Sequence, residues 1–133
     1  MTQESDVLSP EIRGFISGHI DSVAMLEILL FFRKRQEREW TIEQVSVELR
    51  SSSPAIGTRA QQLFKKGLLK RGTSEFSYQY EPSSKELDGL VEVLSQIYPK
   101  YQTRIIDQIY SPQKRAIQEF ADAFRLKRED EDG

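Results

Sequence analysis

The chain contains no cysteine and only one histidine, His19. The lack of cysteine excludes disulfides, thiolate metal sites and cysteine nucleophiles. The P-loop, GxGxxG, HExxH and GxSxG patterns of common nucleotide-binding and hydrolytic sites are also missing from the sequence. We expect His19, which lies near Asp21 at a helix junction, to be a structural residue. We expect neither enzymatic activity nor a bound metal or cofactor.

Long apolar runs are absent as well. The most apolar stretch, Val23 to Phe32, is too short to cross a bilayer, which takes about 20 residues, and Arg33 follows it at once. No signal peptide is visible. These features predict a cytoplasmic protein without a membrane partner, and the length of 133 residues suits one domain.

The chain also lacks an excess of positive charge. It has 19 Lys and Arg residues and 21 Asp and Glu residues, which gives a net charge of −2. Nucleic-acid-binding domains are more often basic, so the bulk charge argues against that function. The segment from Thr41 to Glu81 nevertheless carries six basic and four acidic residues, so it is +2 and its flanks sum to −4. Positive charge is therefore concentrated in this segment.

Capping residues predict where the helices begin. Ser9-Pro10 begins a first helix, and Asp21-Ser22 caps a second, which we expect to run to about Arg38. Apolar residues cover most of the circumference of this second helix, as in a central helix or a subunit interface. Thr41-Ile42-Glu43-Gln44 has the pattern of a capping box and begins a third helix.

The segment from Trp40 to Pro82 has the order helix, turn, helix and hairpin. Ser51-Ser52 forms the turn, the helix Ser53–Lys66 follows, and Gly67 suits the left-handed residue after its end. Alternation predicts two strands around a turn at residues 72–75, with one face formed by Leu69, Arg71, Phe76, Tyr78 and Tyr80. The predicted fold is mainly α with a small β-hairpin: a winged helix-turn-helix core flanked by N- and C-terminal helices.

The second half of the chain predicts further helices. Ser83-Ser84 caps a long helical region, in which Pro99 produces either a kink or a break. One apolar stripe runs through it at Leu87, Leu90, Val91, Leu94, Tyr98, Tyr101, Ile105 and Ile109. We expect a flexible N-terminus over 1–8, the N-terminal helices and winged-helix domain over 9–82, C-terminal helices for packing or dimerisation over 83–126, and an acidic disordered tail over 127–133.

The helix Ser53–Lys66 has a candidate DNA-reading face. If Ile56, Ala60 and Leu63 point inward, the outward residues are Ser53, Ala55, Thr58, Arg59 and Gln62. Arg can pair with guanine O6 and N7, Gln can pair with adenine N6 and N7, and Ser and Thr can hold phosphates. Contacts to the DNA backbone can come from Lys65, Lys66, Lys70 and Arg71. The alternative is that Arg59 and Gln62 are ordinary solvated residues.

This segment resembles the winged-helix domain of bacterial transcriptional regulators, including the MarR family. The resemblance rests on the capped Thr41–Val45 helix, the Ser53-Pro54 start, Leu63 with Lys66-Gly67-Leu68-Leu69, and the closing Tyr78-Gln79-Tyr80 strand. It implies that the helix Ser53–Lys66 enters the major groove and that flanking helices dimerise. The implied DNA-facing residues are Ser53, Thr58, Arg59 and Gln62, with Lys70 and Arg71 at the wing base.

The sequence departs from that family in two ways. The wing is short, with Glu75 near its tip, where a carboxylate would repel phosphate, and the stretch Phe120–Arg125 has no counterpart. The leading hypothesis is a transcriptional regulator that binds double-stranded DNA as a homodimer formed by the terminal helices. The alternative, which the pI near 5.5 favours, is a winged-helix protein-interaction module without DNA binding. A third hypothesis is a small-molecule pocket between the long helices, lined by Tyr98, Tyr101 or Trp40.

Overall fold

Six helices and three short strands follow one another along residues 7–111, the part of the chain that the computed structural model describes. They are α1 (Pro10–His19), α2 (Val23–Lys34), β1 (Trp40–Thr41), α3 (Ile42–Leu49), α4 (Ser53–Lys65), β2 (Leu69–Arg71), β3 (Ser77–Tyr80), α5 (Lys85–Ile97) and α6 (102–111). The helical stretch expected around Phe120 and the acidic tail expected over 127–133 lie outside the described residues.

The predicted helix starts are confirmed. The hydroxyls of Ser9, Ser22 and Ser84 accept hydrogen bonds from backbone N–H groups three residues later, at 3.1–3.2 Å. At α3 the capping box is complete, because Thr41 Oγ1 accepts from Gln44 N and Gln44 Oε1 accepts from Thr41 N. Such caps satisfy N–H groups that have no partner inside the helix.

The centre of the fold is α2, as one of the two sequence interpretations has it. It packs against α4 and β3. Its buried side chains are Met25, Leu26, Ile28, Leu29, Phe31 and Phe32. Within residues 7–111 no single helix is long and apolar enough to cross a membrane; α1 and α2 meet those requirements only when taken together, across a bend of 105°.

The predicted end of α2 at about Arg38 is wrong, because the helix stops at Lys34. The next residues turn the chain back so that Trp40 can pair with Tyr78 in the sheet. The Trp40 ring also packs against Phe31 with 5.1 Å between ring centres. The chain reverses after α2 ends, which places the half-buried Trp40 ring beside α2.

Of the N-terminus expected to be flexible over 1–8, the structure describes residues 7 and 8. Leu8 is buried, and Val7 packs against the hydrophobic core. Both side chains are apolar and immediately precede the cap of α1, so their burial removes apolar surface from water at the start of the fold.

The predicted hairpin is confirmed, and it belongs to a three-stranded antiparallel sheet of order β1-β3-β2. Trp40 pairs with Tyr78 on one side, and Leu69 pairs with Tyr80 on the other. The third strand, β1, is missing from the sequence prediction because two residues are too few to show an alternating pattern. Phe76 was predicted to lie in a strand, but β3 begins only at Ser77.

Gly67 connects α4 to the sheet in the predicted left-handed conformation, with φ of +82°. Leu68 N donates to Leu63 O and Gly67 N donates to Phe64 O, both at 3.0 Å, which is the Schellman pattern of hydrogen bonds. A Cβ atom at this position would lie 2.9 Å from Ser83 Oγ. The turn therefore requires glycine both for its backbone angle and for space.

Pro99 separates two helices rather than bending one, since α5 ends at Ile97 and α6 begins at residue 102. The predicted apolar stripe is buried at Val91, Leu94, Ile105 and Ile109. Tyr101, by contrast, is 38% exposed. Tyr110 joins α6 to the start of α2, because its hydroxyl accepts from Val23 N at 3.3 Å.

Candidate nucleic-acid interface

The second helix of the helix-turn-helix, α4, has one buried face, as predicted. Ile56, Ala60 and Leu63 are at most 1% exposed. At its start Ser52 Oγ accepts from Ala55 N at 3.3 Å, and Pro54 occupies the first turn. The helix is thereby fixed on the scaffold by its inner face and its cap, which leaves the opposite face to solvent.

Four of the exposed residues form a stripe at intervals of four, three and four positions: Pro54, Thr58, Gln61 and Lys65. We call this set the α4 stripe. Residues at these intervals lie on one side of an α-helix. Ala55, which was predicted to point outward, is also exposed and lies beside the stripe. Lys65 and Thr58 belong to the sequence-predicted site, whereas Gln61 was not in it.

The structure contradicts the outward position expected for Gln62. Its side chain is half-buried, and Oε1 has no hydrogen-bond partner within the described residues. The same flank of α4 faces α1, because Lys66, four residues later, donates from Nζ to Gly18 O at 2.8 Å. The exposed position in this turn of α4 is therefore Gln61 rather than Gln62.

The other predicted residues on α4 are less available than the sequence indicates. The Ser53 hydroxyl is partly buried and donates to Ser46 Oγ on α3 at 3.3 Å. Thr58 is exposed, but its hydroxyl donates to Pro54 O at 3.0 Å. Arg59 is half-buried on the flank of the stripe. Thr58 therefore presents an oxygen acceptor and a methyl group rather than a hydrogen-bond donor.

The turn between α3 and α4 contains an exposed cation that the sequence did not single out. Arg50 caps α3 in the left-handed conformation, with φ of 54° and ψ of 48°. Ser51 N then donates to Ser46 O at 3.0 Å and closes the turn. Glycine is the usual residue for this backbone conformation, so an arginine at this position does not predict a left-handed cap.

Lys70 and Arg71 lie on β2 at the base of the wing, as predicted, and both are exposed. Each has a partner within the protein. Lys70 Nζ lies 3.3 Å from Glu81 Oε1, and the Arg71 guanidinium lies 4.9 Å from the centre of the Phe64 ring. The side chains of this ion pair are 48% exposed at Lys70 and 62% exposed at Glu81, so the two can separate at little energetic cost.

The turn of the wing is held by Glu39, from the segment before β1. Its carboxylate accepts from the backbone N–H and hydroxyl of Thr73 at 2.9–3.2 Å, and from Ser77 Oγ at 3.1 Å. These bonds, with the Thr73 N–H foremost, hold the pKa of Glu39 below its usual value. A Cβ atom at Gly72 would lie 2.6 Å from Glu39 Oε1, so glycine is needed for this close approach.

Phe76 closes the same turn in a conformation that side chains rarely adopt. Its φ is +61° and its side chain is 68% exposed. The backbone is fixed by a hydrogen bond of 2.9 Å from Ile42 N to Phe76 O. Such angles carry strain of about 1–3 kcal/mol and tend to occur at functional sites.

A surface cleft of about 660 Å³ lies between the wing and the first residues of α3 and α4. We call it the wing cleft. It is lined by Thr41, Ile42, Glu43, Gln44, Ser53, Pro54, Glu75 and Phe76. The α4 stripe begins at its edge, because Pro54 belongs to both.

The lone histidine has the predicted structural role. His19 Nδ1 lies 3.0 Å from Phe15 O, and its ring stacks on the Phe15 ring with 4.6 Å between centres. A carbonyl oxygen only accepts, so Nδ1 carries the hydrogen. Across residues 7–111 no three His, Cys, Asp or Glu side chains are grouped where they could hold a metal ion.

Trp40, which the third sequence hypothesis places in a ligand pocket, is occupied by protein contacts. Besides Phe31, it contacts Arg38, whose guanidinium lies 4.0 Å from the centre of the Trp40 ring. Its indole N–H donates to Arg35 O at 3.4 Å. The ring therefore holds the segment between α2 and β1 in place.

Comparison with known proteins gives likeness at the level of fold. No protein-family model and no curated protein sequence matches the chain. A crystal structure of a mutant MepR from a multidrug-resistant S. aureus clinical isolate superposes with a TM-score of 0.50, at 12% identity over 93% of this chain and 91% of that one. This chain has a MarR-like winged helix-turn-helix fold.

A second MepR mutant from S. aureus, bound to an oligodeoxyribonucleotide, has a TM-score of 0.49 at 12% identity, over 95% of this chain and 96% of that one. In the MarR-like fold of this chain, α3 and α4 form the helix-turn-helix, and β2 and β3 form the wing. These elements, together with the superposition at a TM-score of 0.50, confirm the predicted fold class.

Proposed function

We propose that this chain is a DNA-binding transcriptional regulator that places the α4 stripe in the major groove. The observation that carries the proposal is the exposure of Pro54, Thr58, Gln61 and Lys65 on a helix whose opposite face is buried. The major groove admits an α-helix, and a MarR-like fold presents one on a rigid base. Bound to DNA, the stripe would face the base edges.

The stripe offers specific chemistry for bases. The Gln61 amide both donates and accepts, which matches N6 and N7 of adenine. Lys65, at the end of the stripe, is assigned to a phosphate. Thr58 offers an acceptor and a methyl group, which suit the amino group of cytosine or the methyl group of thymine. Gln62 is left out of the proposed contacts because its oxygen is buried.

Phosphate contacts are proposed for cations around the stripe. Arg50 lies in the turn before α4, and Lys70 and Arg71 lie at the wing base. Ser53 and Arg59, also in the predicted set, lie beside the stripe, and the half-buried Arg59 is not counted among the phosphate contacts. Each phosphate neutralised contributes a slope of about −0.9 to the dependence of log K on log salt. Lys65 and the three flanking cations therefore predict a slope of about −3.6 per protomer.

The proposed regulator acts as a homodimer through its C-terminal helices. Val93 on α5 is 41% exposed and Tyr101 before α6 is 38% exposed, so this end of the molecule presents apolar surface. A two-fold dimer brings two copies of α4 to successive major grooves, about 34 Å apart. We expect light scattering to give twice the mass of one chain.

The first experiment is a titration of the purified chain against a pool of randomised duplexes at two salt concentrations, followed by sequencing of the bound fraction. We expect an inverted repeat to be enriched and its affinity to fall steeply with salt. Gln61→Ala should weaken binding to the selected site by about 1–3 kcal/mol and relax the preference at one base, whereas Gln62→Ala should bind as wild type.

Two outcomes contradict the proposal. If the chain binds no duplex even at low salt, the protein-interaction function is favoured. The observation that supports this alternative is the pairing of Lys70 with Glu81. Equal effects of Gln61→Ala and Gln62→Ala on base preference would show that another face of α4 reads the DNA.

A further inference from the structure

The wing cleft combines an exposed aromatic ring with a strained backbone. The Phe76 side chain is mostly in solvent, so burial in the core does not account for its position. Its left-handed angle is maintained by the bond from Ile42 N and by the turn that Glu39 holds. An exposed phenyl ring in a fixed and unfavourable conformation is a preorganised apolar contact.

The walls around this ring are apolar as well. Ile42 and Pro54 line the cleft together with Phe76, and they come from the starts of α3 and α4. The volume of about 660 Å³ lies within the roughly 300–1,000 Å³ typical of ligand sites. Five of its eight lining residues are exposed, so the cleft is too open to enclose a small molecule. The cleft suits part of a polypeptide segment, the rest of which makes its contacts outside the cleft.

The polar lining residues are largely engaged with their own chain. Thr41 and Gln44 hold each other in the capping box, and Ser53 donates to Ser46. The cleft therefore offers an occupant few free hydrogen-bonding side chains apart from its two acids. Apolar contact and charge are left to determine what binds.

Those charges are both negative. Glu43 and Glu75 line the cleft, and across residues 7–111 neither carboxylate has an ion-pair partner. A phosphate backbone entering here would meet two carboxylates and be repelled. A cationic occupant is attracted, and it satisfies both acids.

We propose that the wing cleft binds a segment of a partner polypeptide in which Lys or Arg residues flank an aliphatic or aromatic side chain. The apolar side chain contacts Phe76, Ile42 and Pro54, and the basic residues pair with Glu43 and Glu75. This site overlaps the α4 stripe only at Pro54. A bound partner stands beside the DNA-facing surface.

The test is selection of a phage library of random dodecapeptides on the wild-type chain, with no DNA present. We expect enrichment of sequences with Lys or Arg on both sides of an apolar residue. The best peptide is then labelled with fluorescein, and its affinity is measured by anisotropy. Because the assay contains no DNA, its failure is separate from a failure of DNA binding.

Three variants decide the assignment. The double variant Glu43→Gln/Glu75→Gln should weaken the peptide about 3- to 10-fold and flatten its salt dependence. Phe76→Gly, which keeps the left-handed backbone, should weaken it about 10-fold while the melting temperature does not fall. The matched control Glu86→Gln/Glu92→Gln removes two exposed acids from α5 and should leave the affinity unchanged.

The proposal is overturned if no basic and apolar sequence is enriched, or if the cleft double variant and the α5 control behave alike. It is also overturned if Phe76→Gly leaves the peptide affinity at the wild-type value. Loss of duplex binding in Phe76→Gly without any peptide enrichment would assign the cleft to the DNA interface instead.

Discussion

The carboxylate of Glu39 accepts hydrogen bonds from both the backbone N–H and the hydroxyl of Thr73, 34 residues later in the chain. The wing turn is therefore closed by a charge on the segment that follows α2. Contacts within the hairpin alone do not account for its shape.

Glu39→Gln is expected to loosen this turn and to change how stability depends on pH. The hydrogen bonds lower the pKa of Glu39 in the folded state, so its stabilising effect is present above the unfolded value of 4.5. It is lost as the pH falls through the lower folded pKa. Urea unfolding of both proteins between pH 7 and pH 3 should show a difference that is constant near neutrality and shrinks below pH 4.5. A difference independent of pH would exclude the carboxylate as its cause.

Gly67→Ala is expected to reduce the free energy of unfolding by about 1–3 kcal/mol, because alanine resists φ of +82° and its Cβ meets Ser83. The matched control is Gly89→Ala, at a position in α5 with no atom within 4 Å of the added Cβ. That control should stabilise the protein by about 0.5–1 kcal/mol. Thermal melts of the two variants should move in opposite directions, and melts that move together would remove the left-handed cap from the explanation.

Tyr80→Phe is expected to destabilise the protein by about 1–2 kcal/mol. The Tyr80 hydroxyl donates to Asp88 Oδ1 at 2.7 Å and joins the wing to α5. Burial, with this bond, raises the pKa of Tyr80, so the contribution is complete below the unfolded value of 10.0 and is lost at higher pH. Tyr101→Phe, at an exposed position, is the control and should melt as wild type. Equal melts for both variants would show that the bond to Asp88 contributes nothing.

Lys65→Gln is expected to weaken binding to all duplexes by a similar factor and to reduce the salt slope by about 1. The reason is that Lys65 is an exposed cation at the end of the α4 stripe, where we propose that it neutralises a phosphate. Lys66→Gln is the control, because Lys66 Nζ is bonded to Gly18 O on the side facing α1. An unchanged slope in Lys65→Gln, or a larger change in Lys66→Gln, would place the phosphate contact elsewhere.

Local signals made most of the fold predictable. The caps at Ser9, Ser22 and Thr41 and the left-handed Gly67 depend on residues within four positions of each other, and all are confirmed. The buried face of α4 is predictable because Ile56, Ala60 and Leu63 recur at helical intervals.

Long-range contacts account for what the sequence did not predict. Gln61 rather than Gln62 lies on the outer face of α4, and the orientation of α4 is set by its packing against α2, which comes from a distant part of the chain. The hydrogen bond from Thr73 N to Glu39 joins residues 34 positions apart, so no local sequence pattern predicts it. Phe76 alternates with Tyr78 and Tyr80, and this pattern predicts a strand. The hydrogen bond that Phe76 O accepts outside the strand comes from Ile42 N on α3, which the local pattern does not reveal.

The segment between α2 and β1 is attached to the wing at two points. Gln79 Nε2 donates to Gln36 O at 2.9 Å, and Glu39 binds the turn at Thr73. The hairpin is therefore coupled to the C-terminal end of α2, which leads into this segment. A displacement of that end would move the tip of the hairpin with it and change the spacing between the hairpin and α4.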